Sequence, residues 1–391
     1  MSGPISARVL VGVVLAAAVL TVASACSDST SSPPNARTRT YRMGFSNFPP
    51  APDLALAQRA VHMWESRADA AILHLDVPWP DLIAGARADS LVHANVMPIV
   101  QAYANAHLSY VIETDVTDGV DRQAEAPTLV AIGRSITEDT VQKLYATYIA
   151  ALDTIAQPTY LGLASETNLI RLAGPPGVYD AIVRMTNAAA GNHHSGAGAG
   201  ALYVSVQVDV AWGRLGGTGA FVGVDRDRAD FPFITALGLS SYPYLAGYTD
   251  PSQVPDDYFA RLRGTPALDV LITEGGWSSA NIGSIHSSPE LQAAWIKRAS
   301  DLAQNARAVA WFQLSFTDID LGAFGFPLDD PQLVPFVTIG LVDTALTPKP
   351  ALAEWDSVFA RSRQAQSGSA SRFALPDRAP RDDGAQHAQR P

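Results

Sequence analysis

Eight short runs of apolar, β-prone residues recur along the chain: YRMGFS from Tyr41, AAILHLDV from Ala70, LSYVIET from Leu108, TYLGLAS from Thr159, LYVSVQV from Leu202, ITALGLS from Ile234, LDVLIT from Leu268 and AVAWFQL from Ala308. Their apolar residues are continuous rather than alternating, as expected of strands covered on both faces. The segments between them carry a helical period. Leu54, Ala57, Val61 and Trp64 fall on one face behind Asp53, a suitable N-cap, and Val141, Leu144, Tyr145, Tyr148 and Leu152 repeat the pattern. Ser288, Pro289 and Glu290 open a further helix with cap, proline and acid in their preferred order, and a last helix from Pro350 stripes Leu352, Trp355 and Phe359. Eight β/α repeats predict an α/β fold, a (β/α)8 TIM barrel, with an open doubly wound sheet as its rival. No GxGxxG or GxxxxGK[ST] motif supports the nucleotide ligands usual for that rival, and the GAGAG stretch from Gly196 follows a helix instead of opening one.

The two ends of the chain have a different character. Arg8 precedes an apolar run from Val9 to Val22, shorter than the roughly 20 residues a membrane-spanning helix needs. VASAC, Val22 to Cys26, resembles a bacterial lipoprotein processing site, with Cys26 as the residue that would carry lipid; cleavage by an ordinary signal peptidase is the alternative. The expected organisation is a lipoprotein-type signal peptide over 1–25, a flexible tether over 26–40, one barrel over 41–362 and a disordered tail over 363–391. An exported protein is expected, either a cell-envelope lipoprotein touching the membrane only through its anchor or an extracellular one.

Composition narrows the chemistry. Of 391 residues 47% are hydrophobic, enough for a large core, and 27 Lys plus Arg against 38 Asp plus Glu leave a net charge of −11, which makes nucleic acid a poor partner. With one cysteine, neither an internal disulfide nor a thiolate metal site is available. His193 and His194 sit in a Gly/Ala-rich loop without a third ligand at metal spacing, so neither a metal nor a cofactor is expected. A monomer is expected.

The chemistry-bearing signal is a pair of carboxylates. LITEGGW puts Glu274 directly after the seventh apolar run, and GLASETNLI puts Glu166 directly after the fourth. In a parallel barrel the carboxyl ends of the strands carry the active site, so the two acids are expected to face each other across its mouth. Glycoside hydrolysis needs such a pair: one acid protonates the leaving oxygen, and the other attacks the anomeric carbon or activates water. Each acid taken alone is equally readable as a surface loop acid or an ion-pair partner.

The residues here resemble a family, the retaining glycoside hydrolases of clan A, whose signature is carboxylates ending strands four and seven. LGLSSYPYLAG, Leu237 to Gly247, followed by LITEGGW is similar to strands six and seven of the arabinogalactan endo-β-1,4-galactanases in that clan, and GLVDTALTPKPALAEW, Gly340 to Trp355, resembles the end of many members. The resemblance implies Glu274 as nucleophile, Glu166 as acid/base with its pKa raised by the charge of Glu274, Tyr242 as the hydroxyl bonded to the nucleophile, and Trp311 as a sugar-facing aromatic. Two positions depart from the pattern. Ser165 stands where the clan has the Asn that binds the sugar 2-hydroxyl, and LHLDVPW offers His74, Asp76 and Trp79 where the clan carries an Arg. Asn168, two residues past Glu166, is a candidate replacement.

Trp277 is a second candidate sugar platform, and Gln207 and Asp209 are candidate hydroxyl binders; against these stand a core role for any tryptophan and a turn role for SYPY around Tyr242. The reading that joins these features is an exported, lipid-anchored, retaining β-glycoside hydrolase acting on a carbohydrate substrate. Its alternatives are a sugar-binding barrel lipoprotein without turnover and an unrelated barrel protein.

Overall fold

The computed structural model describes residues 37–193 and 199–364. The signal-peptide reading, Cys26, His194 and the C-terminal tail from 365 lie outside the described residues. Eight parallel strands close on themselves in sequence order: β1 (Arg42–Ser46), β2 (Ala70–Asp76), β3 (Ser109–Asp115), β4 (Tyr160–Gly162), β5 (Ala201–Gln207), β6 (Ala236–Ser241), β7 (Asp269–Gly275) and β8 (Ala310–Gln313). The fold is the (β/α)8 barrel, and each strand falls within or beside its expected apolar run.

Local chemistry accounts for the helix starts. Asp53 accepts from the Leu56 N–H and opens the helix Leu54–Trp64, and Ser288 does the same for the Leu291 N–H ahead of Pro289–Asn305. The chain on either side of the barrel is tied in beyond the expected limits. Arg39, buried, pairs with Asp69 at 2.5 Å, and its carbonyl accepts from the Gln364 N–H at 2.8 Å. Residues 37–40 thus belong to the body and not to a tether, because the Asp69 carboxylate just before β2 holds Arg39 against the barrel.

Strand alternation sorts side chains into two apolar layers. Ala70, Ile72, Val111, Tyr160, Tyr203, Ala236, Leu271, Ala310 and Phe312 fill the barrel interior, while the residues between them pack outward on the helices. Tyr203 crosses the interior, and Gly162 and Gly238 give it room: a Cβ at either glycine would come within 3 Å of its ring. Its side chain forms the floor beneath the mouth.

The same alternation corrects the expectation for Trp311. Its neighbours Ala310 and Phe312 face inward, so Trp311 faces outward, with ring centroids 4.9 Å from Trp355 and 6.0 Å from Tyr41. It is core and not a sugar platform. Trp311→Ala is therefore expected to destabilise the fold by about 3–5 kcal/mol in chemical denaturation, the usual cost of removing a buried large aromatic. A variant of wild-type stability would place Trp311 outside the core.

Candidate active site

The first requirement of the site is that Glu274 point inward, and alternation alone would not allow it. Leu271 faces the interior and Ile272 the helices, which would turn position 274 outward as well. The register with β6 slips by one: Leu239 pairs with Ile272, but Ser240 pairs with Glu274. Thr273 is the extra residue of a β-bulge, and the bulge brings Glu274 to the interior side, level with Ser240.

Glu166 reaches the same place from a turn. It lies four residues past β4, at the N-terminus of the helix Thr167–Ala173, with φ of 47°. A left-handed backbone is unfavourable for a glutamate and needs support from its surroundings. The Glu166 N–H donates to Ser205 Oγ at 2.9 Å, and Ser205 Oγ donates to Glu113 Oε1 at 2.7 Å. Both partners are buried.

Ser240 joins the two acids. Its Oγ lies 2.5 Å from Glu166 Oε1 and 2.6 Å from Glu274 Oε1, so those carboxyl oxygens are at most 5.1 Å apart. The other oxygen of Glu166, Oε2, accepts from Arg122 Nε at 3.0 Å. Arg122 comes from the loop after β3, and its Nη1 also spans both oxygens of Asp115, at 2.6 and 2.7 Å. The cation beside the pair thus comes from this loop, and it sits on Glu166.

Electrostatics follow from this placement. Burial, followed by the charge of Glu166, raises the Glu274 pKa to about 8, against smaller lowering effects of Arg122 and the Ser240 bond. Arg122, by contrast, lies directly on Glu166. Burial also lowers the pKa of His74, opposed by Glu113 and Asp115.

The remaining candidates divide. Tyr242 is near enough for Glu274 to raise its pKa after burial, but the hydrogen bond to Glu274 expected of it is made by Ser240. Ser165 is buried and turns its hydroxyl toward the Thr114 carbonyl at 3.5 Å. Asn168 and Gln207 are committed to structure: Asn168 exchanges two bonds with the Gln207 backbone, at 2.8 and 2.9 Å, while the Gln207 side chain accepts from the Val210 N–H. Asp209 is buried and accepts from Tyr258 Oη at 2.7 Å. Trp277 donates to Ser287 Oγ at 3.0 Å and packs on Tyr244 and Trp295, in the core.

The aromatic groups at the mouth are ones the sequence reading passed over. Phe48, beyond β1, is 42% exposed, with its ring centroid 6.0 Å from that of His74 and the planes 29° apart, and Phe336 meets Tyr242 in a T-shaped pair at 4.9 Å. Position just past a strand end was the available signal for Phe48. Phe336 had none, since it arrives on the long segment after β8, which is tied across the mouth by Tyr244 Oη to the Pro335 carbonyl and by the Asp320 N–H to the Pro50 carbonyl.

No family model matches the chain, and no curated protein matches it. Solved structures do. An exo-β-1,4-mannosidase from Opitutaceae bacterium strain TAV5 aligns over 83% of this chain and 60% of its own at 16% identity, with a TM-score of 0.61. A β-D-glucuronidase from Dictyoglomus thermophilum aligns over 84% and 52% at 10% identity and a TM-score of 0.54. The native xylanase 10B from Thermotoga maritima aligns over 82% and 95% at 14% identity and a TM-score of 0.56. The chain spans little more than half the length of the first two. At these identities the likeness is one of fold. None of the three is a galactanase.

The raised Glu274 has a consequence for stability. The unfolded chain ionises this carboxyl near pH 4.5 and the folded chain near 8, so the folded state binds more protons between those values and its stability falls as pH rises through that window. Glu274→Gln, which keeps the shape and removes the charge, should stabilise the protein at pH 8 by about 1 kcal/mol or more relative to its effect at pH 4. Denaturation at the two pH values measures the difference; equal effects would contradict the raised pKa.

Proposed function

We propose that the chain is a retaining β-glycoside hydrolase in which Glu274 attacks the anomeric carbon and Glu166 protonates the leaving oxygen. The observation that carries this reading is the Ser240-bridged pair at the carboxyl ends of β4 and β7, with oxygens at most 5.1 Å apart. Retaining enzymes hold their carboxyl groups about 5–5.5 Å apart, whereas inverting enzymes leave about 6.5–9.5 Å for a water. The fold neighbours, an exo-β-1,4-mannosidase, a β-D-glucuronidase and a xylanase, support a β-linked carbohydrate substrate. In this reading Phe48 and Phe336 are the aromatic faces offered to the sugar.

One observation favours a second reading, a sugar-binding barrel without turnover. Ser165 is directed at the Thr114 carbonyl and away from the role of the clan's Asn. Aryl β-glycosides and β-glycans separate the two, because hydrolysis with retained anomeric configuration, followed by NMR, supports the first and binding without hydrolysis the second. Glu274→Ala should abolish turnover and regain it with azide, giving inverted product. Glu166→Ala should lose about 100-fold or more on natural glycosides but much less on activated aryl glycosides, which leave without a proton. Wild-type turnover in both variants would remove the assignment.

The same reading holds the protein to be exported and anchored through Cys26. The processed wild type should partition into detergent with a lipid-blocked N-terminus, and Cys26→Ala should not. A wild type that stays in the aqueous phase with a free N-terminus would end that part of the reading.

A further inference from the structure

Ser240 makes two contacts that a single hydroxyl hydrogen cannot serve. Its oxygen is 2.5 Å from one carboxyl oxygen and 2.6 Å from another, and both are hydrogen-bond distances. The hydroxyl can donate to one of them. The second contact needs a hydrogen of its own, and only a protonated carboxyl can provide it. Glu166, Ser240 and Glu274 therefore hold one acidic proton among them in addition to the hydroxyl hydrogen.

The surroundings decide where that proton rests. Arg122 Nε, on Glu166 Oε2, favours the anion at Glu166. Glu274 faces the charges of Glu166 and Glu113 as well as that of Arg122, and its burial opposes ionisation. His74 on β2, Asp115 on β3, Tyr203 on β5 and Tyr242 beyond β6 are the further titratable groups around the pair. At rest Glu274 carries the proton and donates to Ser240, which donates to the Glu166 carboxylate. The hydrolase reading needs the reverse, an anionic Glu274 and a protonated Glu166.

We propose that Ser240 is a proton relay that converts the resting pair into the reactive one. The O–H bond of Glu274 breaks as its proton passes to Ser240 Oγ, while the Ser240 O–H bond breaks as its hydrogen passes to Glu166 Oε1. One proton has moved from Glu274 to Glu166, the serine is regenerated, and nothing else is consumed. Positive charge developing at the anomeric carbon favours the anion on Glu274 and draws the transfer forward. Ser240 is thereby a third member of the reacting group. This inference rests on the hydrolase reading for its use in turnover, but the shared proton is a property of the free protein.

Infrared spectroscopy of the free protein tests the shared proton without any substrate. At neutral pH the wild type should show a hydrogen-bonded carboxylic acid band that Glu274→Gln removes, and Ser240→Ala should move that band to higher frequency as the acceptor is lost. No such band, or a band unmoved by Ser240→Ala, overturns the proposal. Turnover tests the relay. Ser240→Ala should lose about 100-fold in kcat/KM on glycosides with poor leaving groups, the lower range of a general-acid contribution, and Ser240→Thr should restore most of it. On dinitrophenyl glycosides Ser240→Ala should recover as pH rises and Glu274 ionises directly to solvent. Full activity of folded Ser240→Ala on both substrates overturns the relay. A wild type that hydrolyses nothing but shows the expected bands overturns the relay's part in turnover and the hydrolase reading together, and leaves the shared proton standing.

Discussion

Glu274 faces the barrel interior because β7 uses one residue more than β6 over the stretch that ends opposite Ser240. In a strand of strict period two, an inward Leu271 dictates an outward position 274, and a glutamate there would lie among the helix-facing side chains. The unpaired Thr273 breaks that parity once, at the last point where it can still matter. The Ser240 bridge, the approach of Glu166 and the raised pKa of Glu274 all require the carboxyl to be on the inner side.

The fold supports this arrangement at a cost in local strain and in buried charge. Glu166 keeps a left-handed backbone, held through Ser205 by a buried Glu113, and Arg122 is shared between Asp115 and Glu166. Breaking either connection would leave a buried charge or donor without its partner, which is more damaging than never having had the pair. Strain and like charges gathered at one end of an otherwise regular barrel are what a functional site adds to a fold. Beneath the site the barrel shows a simpler logic, with apolar layers and a Tyr203 floor made possible by Gly162 and Gly238.

Sequence pattern revealed the barrel because burial on both faces leaves eight apolar runs alternating with helical periods, and no nucleotide-binding motif supported the doubly wound rival. It also revealed the two glutamates, since a charge directly after a buried run must sit where the strand leaves the core. It misjudged what lies between those levels. Trp311 was given to the sugar although the strand's parity, set by Ala310 and Phe312, turns it to Trp355. Asn168 and Gln207 were given to hydroxyls although they satisfy each other and a helix N-terminus. A one-residue bulge leaves no mark in the periodicity of a seven-residue strand, so the parity of Glu274 was right only by analogy. Arg122, seven residues beyond Asp115 in a loop, and Ser240, one of two adjacent serines, gave no signal that linked them to either acid.

The proposed hydrolase chemistry turns on one event, the attack of Glu274 on a sugar. A fluorinated β-glycoside with a good leaving group, which forms a glycosyl-enzyme but releases it slowly, traps that event, and mass spectrometry of the digested protein locates the sugar. One sugar per chain is expected, attached to the peptide that contains Glu274. A protein that turns over ordinary β-glycosides yet carries no sugar, or carries it on Glu166, would contradict that chemistry.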